Sequence, residues 1–204
     1  MSWLLALHSS SEVLGVAVQP LGDGGGAGGR RTATFPLGRS LSNQLLACVE
    51  QLLPASQWPA LGRLVVATGP GGFTGTRLTV VLARTLAQQL AIPLHGVSSF
   101  ELVAARQAIV TPTWIVQELP RRGLVAGLYG PDQGSLSGVV ELQSPRLYAP
   151  EVALPLGAQL PAAVQFPEDL NTLLAIGAMA AQRRLLAPWP EVLPLYPTSP
   201  VQGL

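Results

Sequence analysis

The first half of the chain alternates between strand-like and helix-like runs of apolar residues. Residues 3–7, 13–19 and 32–37 each read as a strand, and turn-forming residues separate them. The segment from Gly22 to Gly29, between the second and third runs, is rich in glycine, which is typical of a loop tip. The pattern therefore predicts an antiparallel meander of three strands at the start of the fold.

A helix, a strand and a second helix are expected after the meander. Between Asn43 and Leu53 the apolar residues recur with helical spacing and Pro54 ends the run, so a one-sided helix is predicted there. Residues 64–68 read as a strand, and the long apolar periodicity over 76–91 indicates the second helix. This half of the chain is thus expected to be an α/β unit.

The second half gives a weaker pattern. Ser98 and Glu101 have the spacing of a capping box, which predicts a helix that begins there and runs to about Ile109. Three alternating runs then read as strands: 113–117, 124–129 and 136–142.

The rest of the chain reads as largely irregular. Prolines and short apolar runs between Ser144 and Pro167 predict loops around one short helix. A strand over 173–176, a turn at Gly177 and a helix over 178–186 are expected next, ahead of a proline-rich tail. Because no long linker or internal repeat divides the sequence, two lobes packed together are favoured over two independent domains.

The most specific pattern lies between the predicted strand over 64–68 and the helix that follows it. Residues 69–77 read Gly-Pro-Gly-Gly-Phe-Thr-Gly-Thr-Arg, and so many glycines in one turn indicate close backbone approach or positive φ angles. Two interpretations stay open. The segment is either a structural turn or a ligand loop whose helix amides face an anion. In the second case the candidate phosphate- or nucleotide-binding residues are Gly71, Gly72, Thr74, Gly75 and Arg77.

Common nucleotide-binding motifs do not match this segment. Three residues, rather than two, separate Gly71 from Gly75, so the dinucleotide fingerprint is missed. The phosphate-loop motif ends in Gly-Lys-Ser/Thr, whereas this chain contains no lysine. Arg77 also reads as a surface arginine paired with a carboxylate.

The same residues resemble the hallmark segment of the bacterial TsaB (YeaZ) family. That family has a Gly-Pro-Gly-Ser-Phe-Thr-Gly-Leu-Arg loop, then a helix, then an Ile-Pro-Leu-x-Gly-Val-Ser-Ser strand. Residues 92–99 read Ile-Pro-Leu-His-Gly-Val-Ser-Ser, so the likeness is continuous from the loop to residue 99. In the second half only residues 121–123, Val125, Tyr129 and residues 193–196 echo the family.

The resemblance implies the two-lobed α/β fold of actin, sugar kinases and heat-shock chaperones (ASKHA), with a mixed sheet and helices in each lobe. The N-terminal lobe is expected over 1–96, containing the meander, a helix, a strand, the glycine-rich loop and a helix. The C-terminal lobe is expected over 97–204 and ends in the proline-rich tail.

Composition limits the kinds of functional site that this chain can form. Hydrophobic residues make up 48% of the 204 residues and charged residues 11%, and a net charge of +1 gives no general attraction to nucleic acid. His8 and His95 are too far apart in sequence to form a metal-binding histidine pair with helical or loop spacing. Cys48 reads as a small core residue. No signal peptide or membrane-spanning run is recognisable, so the cytoplasm is the expected compartment.

Several polar residues of the family are replaced in this chain. His8 stands where the family has the Asp of an Asp-Thr-Ser-Thr turn, and an imidazole cannot reproduce the oxygen ligation of magnesium by a carboxylate. Leu119 and Leu124 replace an Asp and a Glu, while Leu41 and Asn43 replace the His and Glu of a His-Ser-Glu segment. No metal and no cofactor are therefore expected. His8 is read as a strand-end residue that caps the turn, with a general base as the alternative.

The resemblance implies a non-catalytic role in tRNA modification. It suggests a scaffold and dimerisation subunit of the complex that transfers threonylcarbamoyl to the adenosine next to the tRNA anticodon. The implied partners are a TsaD-like catalytic subunit, a TsaE-like ATPase and, when alone, a second copy; tRNA would be met only through the complex. Two alternatives belong to other classes: a metal-independent kinase or carbamoyl/acyl transferase of the same superfamily, and a protease-like binding module, which lacks a recognisable nucleophile set.

A partner surface is expected on the helix after the glycine loop, because its apolar arc is wider than one core contact requires. The leucines of this helix are expected to face the sheet of their own lobe. That orientation would leave Val80, Ala83 and Ala87 as a small-residue edge for a partner helix. The helix over 43–53 is expected to lie beside this edge and to add Leu46 and Val49 to the interface.

Overall fold

Five strands form the first of two sheets. The computed structural model describes residues 2–22 and 29–197. In this part of the chain the strands are β1 (Ser2–His8), β2 (Val13–Leu21), β3 (Arg31–Pro36), β4 (Leu61–Ala67) and β5 (Leu94–Val97). Most of the predicted glycine-rich tip and the last residues of the proline-rich tail lie outside the described residues.

The first sheet has the order β3-β2-β1-β4-β5. The predicted antiparallel meander is confirmed, because β1 pairs with β2 and β2 pairs with β3 in antiparallel register. The strands β1, β4 and β5 are parallel to one another. β1 and β4 read as nearly continuous apolar runs because helices cover both faces of the sheet at its centre.

Two helices cover each face of this sheet. On one face lie α1 (Leu41–Leu52) and α2 (Phe73–Leu90), both close to their predicted positions. On the other face lie α3 (Ser99–Arg106) and α4 (Glu168–Gln182). Short 3₁₀ segments occur at Gly38–Ser40, Ala55–Ala60 and Trp189–Glu191.

The second sheet has four strands, and α3 also packs against it. Its strands are β6 (Thr113–Leu119), β7 (Gly123–Pro131), β8 (Val139–Tyr148) and β9 (Ala158–Pro161), in the order β8-β7-β6-β9. β9 is parallel to β6 and the other neighbours are antiparallel. The predicted cap is confirmed, since the backbone N–H of Phe100 donates to the Ser98 hydroxyl at 3.2 Å.

Two predictions for the C-terminal half are wrong. The segment from Ser144 to Pro167 contains the end of β8 and all of β9, and no helix. The strand, turn and helix expected over 173–186 are one helix, α4. Its buried residues Leu170, Leu173 and Leu174 follow helical spacing, and Gly177 allows close packing on Leu4 instead of making a turn.

Two mixed sheets with helices between and outside them form an ASKHA-type fold, as the resemblance implied. The division of the chain at residues 96 and 97 stays a prediction. α4 follows the second sheet in sequence, yet it packs against β1, β2 and β4 of the first. The region between α3 and α4 is therefore the junction of the two lobes.

Candidate functional site

The glycine-rich loop is packed directly on the turn between β1 and β2. A Cβ atom placed on Gly71 would lie 2.1 Å from the Ser10 carbonyl oxygen, and one on Gly75 would lie 2.8 Å from the Ser9 carbonyl oxygen. The Gly72 N–H donates to the same Ser10 carbonyl at 2.8 Å. The glycines therefore let two backbones meet where any side chain would collide, as the structural interpretation of the loop requires.

The start of α3 holds the other side of the loop. The Ser99 N–H donates to the Gly69 carbonyl at 2.7 Å, and the Ser99 hydroxyl donates to the Pro70 carbonyl. Gly69 has a φ of 93°, a value that glycine adopts without steric cost. The loop is thus fixed at both ends by backbone hydrogen bonds.

A cleft of about 590 Å³ opens beside this junction and lies between the two lobes. From the first lobe it is lined by Ser10, Ser11, Glu12, Gly38, Leu41, Gly72, Phe73, Thr74 and Gly75, and from the second by Gln117, Ala162 and Val164. The charged member of this set is Glu12. Glu12 is exposed, and the lining adds no positive side chain to the amides at the start of α2.

The cleft brings together some of the predicted binding residues. Gly72, Thr74 and Gly75 line it, whereas Gly71 is packed beneath them against Ser10. Arg77 is exposed on the first turns of α2 and is not part of the cleft lining. No arginine thus joins the amides that a phosphate would contact.

The ASKHA fold class implies a nucleotide and magnesium in this cleft, and the residues present do not fit them. His8, at the position that carries a carboxylate in the TsaB family, is fully buried, and its Nδ1 accepts the Ser10 N–H at 3.2 Å. Burial, and then the charge of Arg106, lower the pKa of His8 to about 3, so the ring is neutral. A neutral, buried imidazole cannot replace the carboxylate of this turn as a magnesium ligand, and the residues that line the described cleft supply no cation for a phosphate.

His8 belongs instead to a buried polar cluster at the lobe junction. Its Nε2 lies 3.9 Å from Oδ2 of Asp169 at the start of α4, and Arg106 at the end of α3 forms an ion pair with Asp169. Asp169 is 1% exposed. Burial raises the pKa of the Asp169 carboxyl, while the Gln165 N–H and Arg106 act in the opposite direction.

The same cluster holds the segment between β9 and α4. Arg106 Nη2 donates to the Ala163 carbonyl at 2.9 Å, and the Gln165 N–H donates to Asp169 Oδ2 at 2.7 Å. The ring of Phe166 meets the His8 ring edge-on, with 5.2 Å between centroids. Sequence reasoning found His8 but missed Arg106 and Asp169, since neither lies in a recognised motif.

A second buried cation lies at the end of α4. Arg63 on β4 is 6% exposed, contacts His95 Nε2 and donates to the Leu185 carbonyl at 2.9 Å. Burial, followed by the charge of Arg63, lowers the pKa of His95 to about 4. Arg63 thereby holds the chain just beyond the end of α4 against β4, which is a structural role.

The predicted partner edge on α2 faces the core and not the protein surface. Val80, Ala83, Ala87 and Val49 are 0% exposed and belong to the core between the helices and the first sheet. Their small side chains let α2 lie close to the sheet, and of the leucines of this helix Leu86, at 7% exposure, is buried with them. Of the five predicted interface residues, only Leu46 is exposed, at 53%.

The apolar surface of these helices lies elsewhere. On α2 it is formed by Leu78, Val81 and Leu82, which follow i, i+3, i+4 spacing and so form one stripe. Val81 is 52% exposed, whereas Leu78 and Leu82 are partly buried. We call these three residues together with Leu46 of α1 the outer helix surface.

The described residues contain neither a candidate metal centre nor a candidate membrane span. No group of three or more His, Cys, Asp or Glu side chains within residues 2–22 and 29–197 is arranged to hold a metal ion. In the same ranges, each helix falls short of the length or the hydropathy that a membrane span needs.

Comparison with known proteins connects this geometry to one family. The sequence profile described as "TsaD: tRNA N6-adenosine threonylcarbamoyltransferase" matches residues 37–125, which include α1, the glycine-rich loop and α2. A Bacillus subtilis protein, "tRNA threonylcarbamoyladenosine biosynthesis protein TsaB", is 43% identical over 89 residues. That alignment covers 41% of this chain and 37% of the Bacillus protein.

Two solved structures from Pseudomonas aeruginosa share the whole fold. One is described as similar to the peptidase YeaZ, with a TM-score of 0.71 and 22% identity over 97% of this chain and 100% of the other. YeaZ itself gives a TM-score of 0.69 and 23% identity over 96% and 100%. At this identity the two structures establish the architecture alone.

The fold and the closed glycine loop thus define an ASKHA-type protein whose cleft does not suit a metal-bound nucleotide. Within that class, the resemblance to the TsaB (YeaZ) family is confirmed, in sequence over the segment that carries the loop and in fold over nearly the whole chain.

Proposed function

We propose that this protein is a non-catalytic, TsaB-like subunit of the complex that places threonylcarbamoyl on the adenosine next to the tRNA anticodon. In this role it joins a TsaD-like catalytic subunit and a TsaE-like ATPase, and it forms a homodimer when alone. It meets tRNA only through the complex, in the cytoplasm. The observation that carries the proposal is the 43% identity to the Bacillus TsaB over 89 residues.

The chemistry of the cleft supports a role without catalysis. Glu12 is the charged residue of its lining, the His8 ring is buried, and the Gly72 amide is already bonded to Ser10. A phosphoryl or acyl transferase needs groups that neutralise developing negative charge at the reacting centre. A kinase or carbamoyl transferase, the alternative function, would need such groups here.

The outer helix surface is the best candidate for the partner contact. It comprises exposed Leu46 and Val81 together with partly buried Leu78 and Leu82, on two helices that pack against each other on one face of the first sheet. Contiguous exposed apolar residues of this kind mark interaction sites more often than isolated ones do. A glutamate at Val81 would place a charge in the centre of the stripe without touching the core.

The test is reconstitution with the TsaD-like and TsaE-like proteins of the same genome. The wild-type protein is expected to co-purify with the TsaD-like subunit and to be required for threonylcarbamoyladenosine formation on tRNA. Val81→Glu is expected to fold normally but to lose at least tenfold in complex formation. Val110→Glu is the matched control, because Val110 is 83% exposed and lies near the second sheet, away from α1 and α2.

Three outcomes separate the alternatives. Full modification activity without this protein would end the scaffold proposal. Turnover of ATP or carbamoyl phosphate by the protein alone, after repurification, would favour the enzyme alternative. Equal complex formation by Val81→Glu and Val110→Glu would move the contact away from the outer helix surface while leaving the role intact.

A further inference from the structure

We propose that His8, Arg106 and Asp169 form a charge-balanced latch that holds the two lobes at one fixed opening of the cleft. The latch lies where β1, α3 and α4 meet. The end of β1 meets the segment that forms the second lobe's side of the cleft through the ring contact of His8 with Phe166 and the 3.9 Å approach of its Nε2 to Asp169. The inference is independent of the proposed function.

The charges of the latch cancel. Arg106 carries one positive charge and Asp169 one negative charge, and the two side chains are paired at 10% and 1% exposure. His8 accepts the Ser10 N–H through Nδ1, so its proton is on Nε2, which is the atom nearest to Asp169 Oδ2. A neutral imidazole with this tautomer places a polar hydrogen on the side of the carboxylate and adds no charge.

The latch holds a specific stretch of backbone. The Ala163 carbonyl accepts from Arg106 and the Gln165 N–H donates to Asp169, so the ion pair holds one carbonyl and one N–H of the segment. Ala162 and Val164 in the same segment line the cleft together with Thr74. Breaking the latch would therefore free this side of the cleft while the glycine loop stays bound to Ser10.

The latch also explains why a histidine stands at position 8. A carboxylate there would be a second buried negative charge near Asp169, and one guanidinium would have to balance both. Like charges at such separation disfavour ionisation of both groups. His8 and Asp169 are thus matched, and exchanging the carboxylate between the two positions should restore the balance.

The test is a charge-exchange series followed by thermal unfolding. His8→Asp is expected to lower the Tm by about 10 °C, because it leaves an uncompensated buried charge. The double variant His8→Asp with Asp169→Asn is expected to recover at least half of that loss, because one carboxylate again faces Arg106. A residue that only fills space at position 8 would show no recovery. Additive losses in the double variant would overturn the latch.

A second pair of variants tests the latch if His8→Asp does not fold. Arg106→Met leaves Asp169 unpaired, whereas Arg106→Met with Asp169→Leu removes both charges and is expected to be the more stable of the two. Amide exchange is measured on Arg106→Met in parallel. The Gln165 amide is expected to exchange at least tenfold faster than in the wild type, with β4 unchanged. Equal protection of the segment in both proteins, or a less stable double variant, would contradict the proposal.

Discussion

Gly71 and Ser10 are in contact through their backbones, at a separation that excludes a side chain on Gly71. A Cβ atom at position 71 would lie 2.1 Å from the Ser10 carbonyl oxygen and 2.5 Å from the Ser10 Cβ. Ser10 itself is 6% exposed and lies on the turn that follows β1. The contact joins the turn after β1 to the glycine-rich loop, and the Gly72 N–H, which donates to the Ser10 carbonyl, reinforces it.

Gly71→Ala is therefore expected to destabilise the protein. The added methyl group must displace backbone, so we expect a loss of about 2–3 kcal/mol, or roughly 5–10 °C in Tm. Gly72→Ala is the matched control, because the nearest atom to its Cβ would be 3.6 Å away. Thermal unfolding by circular dichroism measures both. Equal Tm values for the two variants would show that the loop and the turn separate easily.

The glycine loop shows how far the sequence alone could go. Glycine spacing between a strand and a helix correctly indicated close backbone approach, because that requirement is local and places several glycines in one short segment. What the loop approaches is set by residues 60 positions away, and sequence spacing does not contain that information. The ion pair between Arg106 and Asp169 could not be predicted for the same reason, because two isolated charged residues in a sequence do not indicate that their side chains meet.

The direction in which α2 faces leads to a second prediction. Ala83 is 0% exposed in the core, so Ala83→Glu would bury a charge and is expected to unfold the protein or to lower its Tm by more than 10 °C. Thr85→Glu on the same helix serves as the control, because Thr85 is exposed. Soluble yield and Tm are the measurements. A folded Ala83→Glu variant would mean that α2 can rotate on the sheet.

The helical periodicity of α2 was correct, but the assignment of its faces was not. Leucine was expected at the sheet because it is the larger apolar residue. The helix instead brings Val80, Ala83 and Ala87 to the sheet, and the close approach buries them completely. Which half of a wide apolar arc faces inward depends on interhelical and helix-to-sheet distances, and the sequence does not specify those distances.

Acidification should weaken the fold through His8. Its pKa in the folded protein is about 3, well below the unfolded value of about 6.5, so the unfolded state binds a proton first as the pH falls. Stability is then full above pH 6.5 and declines towards pH 3, by about 1.4 kcal/mol per pH unit for this residue. His95 acts in the same direction but less strongly, because it is partly exposed.

Urea unfolding between pH 7.5 and 5 measures this effect. Burial raises the pKa of Asp169, so this carboxyl acts in the opposite direction, and the comparison with a His8 variant isolates the contribution of His8. His8→Asn is expected to remove most of the slope, and the wild type is expected to keep it in high salt because the cluster is buried. A slope that His8→Asn leaves unchanged would assign the titration to other groups.

The packing of α4 can be tested by whether Gly177→Ala raises or lowers the free energy of unfolding. In a helix interior that has free space, Gly→Ala stabilises by about 0.5–1 kcal/mol, since alanine is the better helix former. Here a Cβ at position 177 would lie 2.8 Å and 2.9 Å from the two Cδ atoms of Leu4, whose side chain is fully buried. Gly177→Ala is therefore expected to lower the free energy of unfolding by about 1–2 kcal/mol, as overpacking does.

Leu4→Ala supplies the decisive comparison for Gly177. Alone it should destabilise the protein by about 2–4 kcal/mol through a cavity. In the Leu4→Ala background the added methyl group at Gly177 has room, so Gly177→Ala is expected to become stabilising there. This reversal of sign, measured by chemical denaturation of the four proteins, would place α4 on β1. If the sign does not reverse, Gly177 would be present for its backbone flexibility, which is what the predicted turn at this position required.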